Sequence, residues 1–298
     1  MKGKAHWRLR TRTLELGRRT LVMGVVNITL DSFSDGGLFL SPEAAVAHGL
    51  KLIEEGADIL DLGAESTRPG SHAGGANAAV SADEEQARLL PVVEGILKRL
   101  PHAVLSVDTY KAETARGALA AGAEIVNDVS GFTWDPAIAE VCAEFHAGVV
   151  LLHTRGRPEE WRAQPQLEPD ALLATVREAL AASLASARRA GIPPDSIVLD
   201  PGYGFGKRFG ENFTLLARQS ELLSLGRPLL AGLSRKSFLG HTLASLFGGE
   251  PAPIADRENA SLAAMTAAIL HGASIVRVHV VRPAVEAARV ADAILAAL

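Results

Sequence analysis

At 298 residues, 48% of them hydrophobic, the chain is long enough to bury a large core and matches one α/β barrel or two smaller domains in size. Lys and Arg total 30 against 34 Asp and Glu, a net charge of -4, which excludes the global positive field of non-specific nucleic-acid binding and makes any anion site local. The single cysteine, Cys142, excludes an intrachain disulfide framework and a CxxC zinc site, and suits a reducing, cytoplasmic compartment.

The basic N-terminus "MKGKAHWRLRTRTLELGRRT" lacks the apolar core of a secretory signal, and no stretch is apolar for the length of a membrane span. The alternation of Leu9, Thr11, Thr13, Leu14 and Leu16 ahead of Gly17 predicts a short hairpin within residues 1–20, placed to close the bottom of the main fold. Eight segments of strand length follow, at 21–27, 58–63, 103–109, 124–131, 148–154, 197–202, 228–234 and 274–280. Nearly all are apolar throughout, as strands covered on both faces must be. Between them lie alanine-rich stretches with helix signals. Ser41-Pro42 supplies a cap and a first-turn proline, and Gly56 a stop; Asp135-Pro136 repeats the start signal. Ser81 with Glu84 makes a capping box for a helix running toward Leu100, with a kink expected at Pro91.

Strand and helix alternate eight times with no linker-like interruption, which predicts a single (β/α)8 TIM barrel over 1–298, with a doubly wound sheet as the other fold of this pattern. The segments turn polar where they end: Asn27, Asp61 into Glu65, Asp108, Asn127 with Asp128, His153, Asp200, Ser234 to Lys236, and Arg277 with His279. One such ending serves equally well as a turn or cap. Eight together predict a ring of polar side chains at the barrel mouth, where the C-terminal strand ends converge.

Two tempting motifs carry less. "DPGYGFGKRFG" (200–210) matches neither GxGxxG nor a P-loop, since Arg208 follows Lys207 where Ser or Thr belongs. The nine histidines form no HExxH motif, which argues against a zinc site.

Taken in order, "VMGVVNITLDSFSDGG", "DLGAESTRPGS", "LSVDTYKAETARGALAAGAEIVNDVSG", "LLHTRGRP", "LDPGYGFGK", "GLSRKSFLG" and "VRVH" resemble the dihydropteroate synthases of the pterin-binding enzyme family, across essentially the whole chain. The resemblance implies a (β/α)8 barrel and a transferase of folate biosynthesis. That reaction joins 6-hydroxymethyl-7,8-dihydropterin diphosphate to p-aminobenzoate, giving 7,8-dihydropteroate and diphosphate along an SN1-like path. It implies a pterin pocket of Asp108, Asn127, Asp200, Phe205 and Lys236, since a flat edge of N–H donors beside one carbonyl calls for carboxylates, a carboxamide and a cation. It assigns the diphosphate to Arg68, Arg277 and His279, and a hydrated Mg²⁺ to Asn27. Phe33, Thr67, Pro69, Lys236 and Ser237 would form the p-aminobenzoate pocket. Asp31, Phe33, Asp35 and Arg68 would act with Lys236 in catalysis, on two loops that close over the intermediate. Homodimers and sulfonamide inhibition are further family expectations.

Three departures stand out. Leu30 replaces the usual proline of loop one, Val280 replaces the usual aspartate after His279, and "GSHAGGANAAVSADEE" lengthens the connection after "STRPG". They keep two other readings open: a pterin-binding methyltransferase domain of the cobalamin-dependent kind, and a catalytically silent pterin-binding paralogue.

Overall fold

The computed structural model describes residues 5–28, 41–67, 71–75 and 80–298. β1 (Ala5–Arg8) and β2 (Thr13–Leu16) pair antiparallel as the expected hairpin. Eight parallel strands then close into a barrel: β3 (Leu21–Asn27), β4 (Ile59–Gly63), β5 (Leu105–Asp108), β6 (Ile125–Asp128), β7 (Gly148–Leu152), β8 (Ile197–Asp200), β9 (Leu229–Ala231) and β10 (Ala273–Val278), with β10 returning to pair with β3. The sequence reading of a TIM barrel with an N-terminal hairpin holds; the alternative of an open doubly wound sheet does not.

Each strand is followed by helix. α1 (Pro42–Glu54) starts where the Ser41 side chain accepts from the Ala44 N–H, and Gly56 ends its turn at φ +106°. α2 (Ala82–Arg99) is capped by Ser81 and runs through Pro91. α3 (Ala112–Ala120) and α4 (Ala137–Glu144) both begin beside Asp135, which accepts from the first N–H of each, Ala112 at 2.8 Å and Ala137 at 3.2 Å. α5 (Pro169–Arg189), α6 (Phe209–Ala217), α7 (Ser237–Thr242), α8 (Glu258–Leu270) and α9 (Val281–Ala296) complete the ring.

Strand side chains alternate between two cores, because successive residues point to opposite faces. Outward residues such as Val22, Leu62, Val107, Val126, Leu151 and Val276 pack under the helices. Inward residues Met23, Ile59, Ile125, Val150, Val198, Leu230 and Ile275 fill the barrel, in one cluster with Trp7, Leu9 and Leu16 of the hairpin. Trp7 is fully buried, and its indole N–H donates to the Ser196 carbonyl at 3.0 Å. That inward layer sets the parity of everything above it.

Candidate active site

Two residues beyond the inward layer, the same face of the barrel turns polar. Counting on from Ile59, Ile125, Val198 and Ile275 gives Asp61, Asn127, Asp200 and Arg277; counting four from Met23 and Val104 gives Asn27 and Asp108. All but Asp61 line one cleft of about 240 Å³ at the C-terminal ends of the strands, together with Thr67, Phe205, Lys236, Ser237 and His279. Every residue that the sequence assigned to substrate, and that lies among the described residues, therefore reaches one cavity. Asp31, Phe33, Asp35, Arg68 and Pro69, with Leu30, lie outside the described residues.

Parity also separates neighbours that the sequence could not. Asp128 faces away from the cleft and shapes a turn, accepting from the Ser130 N–H and hydroxyl at 2.8 Å each and from the Phe132 N–H at 2.7 Å. His153 does not line the cleft either. It is buried, and its carbonyl accepts from the Lys207 ammonium at 2.9 Å. The expectation that both would join the ring fails because each follows an inward residue, Asn127 or Leu152, by one position. Lys207 likewise turns inward, also donating to the Gly202 carbonyl at 2.7 Å, so the glycine-rich segment is a strapped turn and no phosphate loop.

The charges in the cleft are interlocked. Arg277 donates through Nε to Asp61 Oδ2 at 2.6 Å and through Nη2 to Asp108 Oδ2 at 2.7 Å. Asn127 Nδ2 donates to the same Asp61 oxygen at 3.0 Å. Burial opposes the Arg277 charge, yet Asp61 and Asp108 outweigh it and hold its pKa above the ordinary value. Burial also raises Asp108 above the usual carboxylate range, with Arg277 pulling the other way and Asp61 adding repulsion. Asp200 is pushed up to about 6 by burial, against the Gly202 N–H that its Oδ1 accepts at 2.7 Å and the charges of Lys236, Lys207 and Arg277. Lys236 is pulled down to about 8 by burial, with Asp200 opposing and Arg277 reinforcing the shift.

Lys236 owes its place to an unusual backbone. Arg235, just before it, sits at φ +60°, a left-handed conformation that costs a non-glycine residue on the order of 1–3 kcal/mol and persists only where neighbours impose it. Here the Arg235 N–H donates to Ser261 Oγ at 2.9 Å, and its carbonyl accepts from Arg257 at 3.1 Å. Gly204 leaves the room that the Lys236 stem needs, since a Cβ there would stand 3.2 Å from Lys236 Cδ. The imidazole of His279 meets the Ser234 hydroxyl at 3.0 Å through Nδ1, so a serine holds its ring beside Val280.

Sequence reasoning missed Trp161, which lines the cleft and packs edge-on against Phe205 with ring centres 5.0 Å apart. It lies in the loop after β7, where no periodicity marks orientation. Asp61 was legible as a polar residue but not as the carboxylate beneath Arg277 and Asn127. Among the described residues no cluster of three or more His, Cys, Asp and Glu side chains is arranged to hold a metal. No helix among them is long and apolar enough to cross a membrane.

Residues 23–279 match the model of the family described as pterin binding enzyme. The chain is 42% identical to the dihydropteroate synthase of Synechocystis over 278 residues, covering 93% of this chain and 91% of the relative. Among solved structures it is similar to the Yersinia pestis dihydropteroate synthase in complex with a sulfonamide drug, at 37% identity and a TM-score of 0.88, covering 98% and 100% of the two chains. The Xanthomonas albilineans dihydropteroate synthase with 4-aminobenzoic acid superposes at 41% identity and a TM-score of 0.85, covering 99% of each.

Proposed function

Since the chain belongs to the pterin binding enzyme family and aligns over nearly its whole length with dihydropteroate synthases, we propose that it makes 7,8-dihydropteroate from 6-hydroxymethyl-7,8-dihydropterin diphosphate and p-aminobenzoate. The observation that carries this reading is the shared cleft: Asp108, Asn127, Asp200 and Lys236 from separate strands and loops open on one cavity with Arg277 and His279.

The division of labour follows from donor and acceptor chemistry. Ionised Asp108 and Asp200 accept from the amine and ring N–H groups of the pterin, the Asn127 carbonyl accepts a further one, and the Lys236 ammonium donates to the ring carbonyl. Phe205, already stacked under the Lys236 charge at 4.1 Å, offers a flat wall for the heterocycle. Arg277 and His279, joined by Arg68, draw off the diphosphate. As the methylene carbon–oxygen bond breaks, its electron pair leaves with the diphosphate, and the electron-rich dihydropterin stabilises the methylene cation. The p-aminobenzoate nitrogen then attacks that carbon and loses a proton. No protein nucleophile is needed; the one thiol, Cys142, is buried, and its pKa is raised by that burial.

Asn27 lines the cleft, and a single carboxamide without a carboxylate cage suits Mg²⁺, which keeps several waters and takes phosphate oxygens as ligands. The ion would neutralise charge on the departing diphosphate. Thr67, Pro69, Phe33, Lys236 and Ser237 form the p-aminobenzoate side, with Asp31 and Asp35 on the loop that excludes water from the cation.

A homodimer is part of the proposal. Phe209 and Phe213 on α6 are 51% and 39% exposed, and Leu246, just after α7, is 76% exposed. Phe209 and Phe213 share a face with α7, since Phe209 packs against His241 at 4.1 Å and Phe213 edge-on against Phe238 at 5.2 Å between ring centres. Exposed aromatic side chains grouped on one face are candidates for burial against a second copy.

The direct test is incubation with dihydropterin diphosphate, labelled p-aminobenzoate and Mg²⁺. Labelled dihydropteroate is expected; substrate binding without product would select the silent paralogue.

A further inference from the structure

Asp61 is fully buried below the cleft floor and belongs to none of the substrate contacts proposed above. Its Oδ2 nevertheless receives two hydrogen bonds, from Asn127 Nδ2 and from Arg277 Nε, whereas its Oδ1 is buried with no hydrogen-bond partner. Both donors belong to residues that line the cavity, Asn127 assigned above to the pterin and Arg277 to the diphosphate.

We propose that Asp61 is a positioning residue with two separable roles, its acceptor oxygen fixing which way the Asn127 amide points and its charge setting how strongly Arg277 attracts the diphosphate. The inference rests on the pterin reading above. A carboxamide has two ends of opposite hydrogen-bonding sense. With Nδ2 tied to Asp61, the end that Asn127 turns toward the cleft is the carbonyl oxygen, which accepts from a ring N–H and would repel a ring carbonyl. Released from Asp61, the amide can flip, and its contact with the substrate edge is lost.

Arg277 meets two carboxylates, Asp61 at 2.6 Å and Asp108 at 2.7 Å, so its charge is largely compensated before any anion arrives. Nη1 makes no hydrogen bond to a described residue, and Arg277 itself lines the cleft. A strongly compensated arginine binds diphosphate less tightly than a bare one. That suits a group which must receive a leaving diphosphate and then release it.

The unbonded Oδ1 allows the two roles to be tested apart. In Asp61→Asn the amide carbonyl can occupy the Oδ2 position and accept both bonds, while its nitrogen takes the unbonded place. The acceptor survives and the charge goes. In Asp61→Ala both are lost. Isothermal calorimetry with 6-hydroxymethylpterin, and separately with inorganic pyrophosphate at constant Mg²⁺, reads the outcome. Asp61→Asn should keep pterin affinity within about threefold of wild type and tighten pyrophosphate by about threefold or more. Asp61→Ala should weaken pterin about tenfold, and adding Asn127→Ala to it should cost less than about twofold more, since one residue acts through the other.

A parallel fall in both affinities in Asp61→Asn would overturn the assignment, leaving Asp61 a plain structural anchor. So would full additivity of Asp61→Ala with Asn127→Ala. Should Asp61→Ala fail to fold, the isosteric variant still decides. A wild type that binds neither probe would overturn the pterin reading and this inference together, whereas a binding wild type with the wrong pattern overturns this inference alone.

Discussion

The Lys236 ammonium lies 4.1 Å from the centre of the Phe205 ring, a half-buried charge resting on an aromatic face at the edge of the cleft. Burial pulls Lys236 down to about 8 and pushes Asp200 up to about 6, so the two groups are oppositely charged over a narrow interval.

A pH profile should show that interval. Pterin recognition needs Asp108 and Asp200 ionised and Lys236 protonated. As pH falls, both carboxylates, raised by burial, take up protons and turn from acceptors into donors, Asp200 near about 6, and above about 8 Lys236 loses its charge. The ratio kcat/KM for the dihydropterin substrate should therefore be bell-shaped with limbs near these values, which report the free enzyme. Lys236→Arg should push the alkaline limb out of range and leave the acid limb in place. A flat profile from about 5 to about 9 would contradict the assignment.

Asp200→Asn keeps the shape but exchanges one acceptor for a donor. Calorimetry with 6-hydroxymethylpterin should show affinity falling about tenfold or more, the scale of a buried hydrogen bond lost to a mismatched partner. Wild-type affinity would remove Asp200 from the pterin ligands.

The connection after β4 is anchored at Gly74. Its N–H donates to the Tyr110 hydroxyl at 2.8 Å, its φ is +72°, and a Cβ there would stand 2.7 Å from the Trp134 ring. Gly74→Ala should dislodge residues 71–75, and with them the p-aminobenzoate side near Thr67. The KM for p-aminobenzoate should rise about tenfold, with pterin affinity unchanged within about twofold. An equal rise for both substrates would point to a general loss of structure.

If the aromatic face of α6 and α7 is buried between two copies, Phe209→Asp with Leu246→Asp should give a monomer by light scattering at concentrations where the wild type is a dimer. Placing two carboxylates in an apolar interface costs several kcal/mol in total, on the order of the desolvation penalty of buried charges. A monomeric wild type would remove the dimer from the account.

Much of this was legible in the sequence because a barrel strand is apolar on both faces and turns polar only at its functional end. Asn27, Asp108, Asn127, Asp200 and Arg277 each announced themselves that way, and each lines the cleft. What the sequence concealed was parity. Asn127 and Asp128 are adjacent and equally polar, yet one faces substrate and the other a turn, and only the inward cluster containing Ile125 tells them apart. Asp61 was hidden for a different reason: its partner Arg277 is 216 positions away, a separation over which a single sequence carries no pairing signal.

The most direct measurement is a crystal structure with 6-hydroxymethylpterin and pyrophosphate bound together. The heterocycle should lie within hydrogen-bond distance of Asp108, Asn127, Asp200 and Lys236, and the diphosphate against Arg277 and His279. A pterin bound elsewhere, or turned so that its N–H edge faces away from the two carboxylates, would contradict this arrangement.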